Sequence, residues 1–140
     1  MANTVKVHVR RTGEFRMEGI SALGRTMVMD APVSIGGTDD GVRPVEALLM
    51  SLGGCASVDV LTILNKQRQI LHDFEVTIEG DRIDAIPAVF EAVRIHFHLT
   101  GDVPLVKLEA AVKLSADKYC SIAAMLMQAG IQLTWTCAVS

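Results

Sequence analysis

Three cysteines, Cys55, Cys120 and Cys137, are the residues of this chain whose type could carry covalent chemistry, and Asp59 follows the first of them by one helical turn. A thiol becomes a nucleophile only as its thiolate, which requires a cation, a hydrogen-bond donor or a helix N-terminus close by. Cys120 gains the last of these if the chain breaks after Tyr119 and a helix restarts at Ser121. Cys55 has no such helper adjacent in sequence, but Gly53 and Gly54 precede it. Two glycines inside a helix cost roughly 1 kcal/mol each relative to alanine, so they imply a packing or access reason; without side chains they let another group approach the sulfur. Spacing alone leaves Cys55 open between a packed core thiol and a reactive one. Cys137 lies on the apolar face of a strand beside Trp135 and reads as a small hydrophobe.

The other polar residues give weaker signals. His96 and His98 share one sheet face, as metal-ligand pairs do, but no third ligand is evident from spacing, and a water-facing strand is expected. The loop APVSIGGTDDGVRP, residues 31–44, is glycine-rich yet lacks the Gly-Lys-Ser/Thr ending of a phosphate cradle; it reads as a strand-to-helix connection. Asp59 is a structural candidate that would cap or pair a polar group, although a carboxylate beside a sulfur raises the thiol pKa. No cofactor and no metal are expected.

Elements to position these residues follow from periodicity. Val5, Val7 and Val9 alternate with Lys6, His8 and Arg10, the pattern of a half-buried strand, and Arg11-Thr12-Gly13 turns the chain toward Phe15-Arg16-Met17. A third strand is expected around Arg25–Met29. Pro44 suits a helix's first turn, and helical sequence continues to about Gln67, apolar on nearly all sides through Leu48, Leu49, Leu52, Val58, Val60 and Leu61. Such a helix is buried in a core or between subunits. Two strands follow, marked by Phe74, Val76 and Ile78, then by Val93, Ile95, Phe97 and Leu99, with GDRIDAIP as their connection. Pro104 opens a helical region through Lys118, a short helix Ser121–Gln128 is closed by Gly130, and IQLTWTCAV finishes the chain as a strand. This order predicts an α+β fold, a curved antiparallel sheet wrapped over a central helix.

The 140 residues, without a Pro/Gly/Ser-rich linker, predict a single domain over 1–140. Half of them are apolar and 21% charged, which excludes disorder and fits an oligomer that hides surplus apolar surface. A net charge of −3 with scattered lysines and arginines lacks the footprint of a nucleic-acid binder. MANTVKVHVRR has no apolar signal region, and the longest uncharged apolar run, between Glu46 and Asp59, is a dozen residues, too short for a bilayer. A cytoplasmic protein with no membrane partner is expected. An odd cysteine count without a secretory signal argues against a structural disulfide framework.

Two segments carry a resemblance. RPVEALLMSLGGCASVDVLTILNKQR resembles the pattern around the first cysteine of the OsmC/Ohr family (osmotically inducible protein C and organic hydroperoxide resistance proteins), in its LGGC…D…IL.K.R branch, and LSADKYCSIAAML resembles the segment bearing the second cysteine. They occur in the family's order, with the cysteines 65 residues apart. The resemblance implies an intertwined homodimer, curved antiparallel sheets around long central helices, and an active site at the subunit boundary. It also implies thiol-dependent reduction of organic hydroperoxides. Cys55 would attack the peroxide and become a sulfenic acid, Cys120 would condense with it to a disulfide, and an external dithiol reductant would restore both. In the Ohr branch an arginine held by a glutamate supports the thiolate. Here Val45 follows Pro44 and the glutamate is Glu46, nine residues before Cys55 and about half a turn out of phase with it. Arg25 is the preferred arginine and Arg43 the other choice. The rival expectation is a binding protein with an apolar small molecule in the dimer crevice and unreactive thiols.

Overall fold

The structure is a computed structural model that describes residues 3–140. The chain divides into two compact units, Met1–Leu48 and Leu49–Ser140.

The first unit is a three-stranded antiparallel meander, β1 (Val7–Arg11), β2 (Met17–Ser21) and β3 (Thr26–Met29), in the order β1-β2-β3. Val9 faces Gly19 and Met17 faces Met29 across it. The hairpin foreseen at Arg11–Gly13 is present. However, β1 is exposed along its whole length, with Val7 at 65% and Val9 at 51%, so the alternation that predicts a half-buried strand is not matched by burial among the described residues. The loop beyond β3 is organised by one buried carboxylate. Asp30, 4% exposed, accepts hydrogen bonds from the backbone N–H groups of Ala31, Thr38 and Asp40 and, at 2.6 Å, from the Thr38 hydroxyl. These donors, the Thr38 hydroxyl foremost, hold its carboxyl down at about 2 against partial desolvation.

The long helix α1 (Pro44–Lys66) starts in the first unit and continues through the second. Arg43 is its N-cap, and the Glu46 carboxylate accepts from the Arg43 N–H at 2.7 Å, the returning half of a capping box. A single stripe of α1 is buried, formed by Leu52, Gly53, Ala56, Val60 and Leu64. The face carrying Met50, Gly54, Val58 and Leu61 stays open, with Val58 65% exposed. In length and composition α1 passes as a membrane span, a wider measure than its uncharged run, yet Asp59 lies within it and one stripe of it packs in the core.

The second unit adds a sheet of β4 (Leu71–Arg82), β5 (Phe90–Gly101) and β6 (Gln132–Val139), with α2 (Leu105–Leu114) and α3 (Ser121–Gln128) between β5 and β6. Val93, Ile95, Phe97 and Leu99 of β5 are buried as their alternation predicts, and with Leu52, Leu64, Leu108 and Val112 they make the core. Two details differ from the sequence reading. β4 and β5 are antiparallel, but β5 and β6 are parallel, Phe97 facing Cys137, because the helical connection between them is long enough for a crossover. Gly80 belongs to β4 rather than to the connection: a Cβ there would lie 2.6 Å from the Phe90 ring, so the glycine admits the ring over the strand.

Candidate active site

Cys55 occupies the middle of α1, half-buried, and the two glycines before it do different work. A Cβ on Gly53 would meet Ile78 Cδ1 at 2.5 Å, so Gly53 lets β4 press against the helix. A Cβ on Gly54 would have nothing within 4 Å. One glycine is a packing contact inside the unit, and the other keeps the open face of α1 smooth.

Cys120 reaches the same place from the other side of the unit. After α2 the chain takes a π-helical turn, Ser115–Tyr119, and Cys120 then adopts an extended conformation, φ −75° and ψ 104°, before α3 begins. The break predicted after Tyr119 is therefore real. The Cys120 N–H donates to the Ser115 carbonyl at 2.8 Å, and its sulfur accepts from the Ala123 N–H at 3.4 Å as the N-cap of α3. Cys55 Sγ, Cys120 Sγ and a carboxylate oxygen of Asp59 all lie within 4.8 Å of one another. Ser115, 1% exposed, donates its hydroxyl to Asp59 Oδ2 at 2.9 Å. Asp59 thus stands in the thiol cluster, paired with a polar group as its sequence position suggested. Ser115 escaped the sequence reading; its one signal was a small polar residue inside LSADKYC, the segment that leads to Cys120.

Burial pushes Cys120 up to about 11; the Ala123 N–H opposes this, while the hydrogen bond with Cys55, its charge and that of Asp59 add to it. Cys120 is therefore a neutral thiol near neutral pH. Cys137, half-buried on β6, is likewise pushed up to about 11, by burial first and then by Glu109. A cavity of about 370 Å³ lined by Asp59, Thr62, Ile63, Lys66, Gln67, Leu114 and Tyr119 opens beside the cluster, sharing Asp59 with it.

The remaining candidates lie as follows. Arg25 is exposed in the turn that precedes β3, its N–H donating to the Ser21 hydroxyl at 3.1 Å. Arg43 and Glu46 are brought together, through the Arg43 backbone rather than its guanidinium, which donates to the Asp30 carbonyl at 3.2 Å and pairs with Asp39. His96 bonds the Thr136 hydroxyl at 2.6 Å and His98 the Ser140 hydroxyl at 2.8 Å.

Comparison with known proteins places these features in company. A family profile described as OsmC-like protein matches residues 37–136. Protein YhfA of Escherichia coli (strain K12) is 40% identical over 112 residues, 79% of this chain and 81% of that protein. Among solved structures, a hypothetical protein from Aquifex aeolicus is similar with a TM-score of 0.83 and 30% identity, covering 99% of each chain. An organic hydroperoxide resistance protein OsmC from Legionella pneumophila matches in fold, with a TM-score of 0.73 at 18% identity over 99% of each chain.

Proposed function

The chain belongs to the OsmC-like protein family, and we propose that it is a thiol-dependent peroxidase that reduces organic hydroperoxides. The observation that carries this reading is the approach of the Cys55 and Cys120 sulfurs to within 4.8 Å of each other, from positions 65 residues apart. Cys55 as thiolate attacks the outer oxygen of ROOH; the O–O bond breaks, RO⁻ leaves and takes a proton from water to become ROH, and Cys55 becomes a sulfenic acid. Cys120 then attacks that sulfur, the S–S bond forms, and hydroxide leaves as water with the Cys120 proton. An external dithiol returns two electrons and restores both thiols.

The assignment of roles follows from environment. Cys120, buried and neutral, suits the waiting partner, and Cys55 on the less buried helix face suits the attacker. Ile63, Leu114 and Tyr119 give the neighbouring cavity the apolar lining that an alkyl hydroperoxide would favour. The open face of α1, Met50 and Val58 above all, and the exposed valines of β1 support a homodimer in which a second copy covers them. The continuity of α1 through both units supports one domain over 1–140. A cytoplasmic setting fits free thiols.

Mixing reduced protein with an organic hydroperoxide and counting thiols tests the reading. Two of three thiols per chain disappear, and peptide mapping finds a Cys55–Cys120 bridge. Cys55→Ser abolishes the loss, and Cys120→Ser stops at the sulfenic acid. Retention of all three thiols would overturn the peroxidase and leave the alternative, a protein that binds an apolar small molecule.

A further inference from the structure

The peroxidase cycle uses the two sulfurs and leaves Asp59 and Ser115 without a chemical task. We propose that, with both thiols reduced, the chain binds one divalent cation of the Zn²⁺ class through Cys55, Asp59 and Cys120. Each offers one ligand atom, and the three atoms lie within 4.8 Å of one another. Tetrahedral Zn²⁺, with about 2.3 Å to sulfur and about 2.1 Å to a carboxylate oxygen, needs neighbouring ligand atoms about 3.5–3.8 Å apart. Closing the site therefore takes movements of about 1 Å or less, within the reach of side-chain torsions.

The surroundings are those of a built site. Cys55 and Asp59 are spaced i, i+4 on one face of α1, where side chains meet. Cys120 sits on an extended residue between the π-helical turn and α3, so its side chain approaches from a separate element. Ser115, buried, holds Oδ2 of Asp59, the orienting role that outer-shell donors play at metal centres. Three protein ligands leave a fourth position for water, and the cavity lined by Asp59 provides an entry path. Two sulfur donors favour Zn²⁺ over Mg²⁺ or Ca²⁺. In balance, the cation displaces the proton of each sulfur that is still a thiol, that proton leaves to water, and no electron is transferred. Spacing hides this site from the sequence, since its ligands are four and then 61 residues apart.

Metal binding does not depend on the peroxidase reading; one consequence does. A bound cation occupies both sulfurs, so it excludes peroxide attack, and a Cys55–Cys120 disulfide removes two ligands and releases the cation.

The test titrates reduced, chelator-treated full-length protein with Co²⁺ under nitrogen. The expected result is a thiolate-to-cobalt charge-transfer band saturating at one ion per chain, bleached by Zn²⁺, with release of protons to the medium. Zn²⁺ also lowers the count of alkylatable thiols from three to one, the survivor mapping to Cys137; this readout needs no variant. Cys55→Ser and Cys120→Ser each lose the two-thiolate spectrum, and Ser115→Ala weakens binding by about 10–100-fold. Absence of the band in folded protein, its persistence unchanged in Cys55→Ser, or protection of Cys137 in place of the pair would overturn the proposal. Peroxide-driven thiol loss is measured separately on the chelator-treated protein, so failure of the catalytic reading and failure of metal binding give different results.

Discussion

Replacing the two glycines of α1 one at a time separates what each is for. A methyl on Gly53 would stand 2.5 Å from Ile78 Cδ1 and 3.8 Å from its Cγ1. Carbon atoms pack best at about 3.5–4.0 Å, so the end of Ile78 must retreat by about 1 Å. Overpacking of this kind costs about 1–3 kcal/mol, and the better helix propensity of alanine returns about 1 kcal/mol. Gly53→Ala should therefore change stability by about 0 to 2 kcal/mol in the destabilising direction. For Gly54→Ala no atom within 4 Å opposes the methyl, and the propensity gain alone predicts up to about 1 kcal/mol of stabilisation in the isolated chain.

The assay is urea unfolding of both variants over a series of protein concentrations, with sedimentation velocity to follow association. At the highest dilution the two variants should differ by about 1–3 kcal/mol. If a second copy lies on the face of Met50, Gly54, Val58 and Leu61, the advantage of Gly54→Ala shrinks or reverses as concentration rises, because the methyl now intrudes on the partner. Gly53→Ala shows no such dependence on concentration. Equal destabilisation by both at high dilution would refute the division of roles, as would a full propensity gain at Gly53.

Two further outcomes follow from the carboxylates. Asp30, held at about 2 against an ordinary 3.8, contributes stability that is present above pH 3.8 and is lost as pH falls toward 2. Asp30→Asn should lower the urea midpoint at pH 7, since an amide turns a donor toward the N–H and hydroxyl groups that now donate to Oδ2, and should flatten the pH dependence between 4 and 2; an unchanged midpoint at pH 7 would count against the loop's reliance on this group. In a Cys137→Ser background, Asp59→Asn should move the midpoint of Cys120 alkylation below about 11 yet keep it above 9, because burial outweighs the Asp59 charge; a fall all the way to 9 would reverse that ranking.

Local pattern carried most of the fold. The alternation through Val93, Ile95, Phe97 and Leu99 was legible because β5 buries one face against the core, and α1 was legible from Pro44 and its long apolar run. Strand direction was not, since side chains alternate with period two whether neighbours run parallel or antiparallel. The helices between β5 and β6 held the missing clue, a connection long enough to cross over. Glu46 sits at the N3 position a capping box uses, three residues after Arg43, so its bond to the Arg43 N–H was also within reach of the sequence. The valines of β1 illustrate the opposite case: their pattern predicts burial, and among the described residues they stay exposed.

Cys55 and Cys120 stand out in the sequence by residue type, but their approach to each other does not, and Ser115 shows why. Its carbonyl accepts from the Cys120 N–H at the close of the π-helical turn, while its hydroxyl donates to Asp59, one turn after Cys55. One buried residue therefore fixes both the backbone that carries the second thiol and the carboxylate beside the first. Neither bond is encoded by a motif; each exists because α2 packs Leu108 and Val112 in the core and ends where the wider turn can swing the chain out of the helix. The meeting of Cys55 and Cys120 is thus a product of core packing, and a substitution that loosens Ser115 should separate the sulfurs without touching either one.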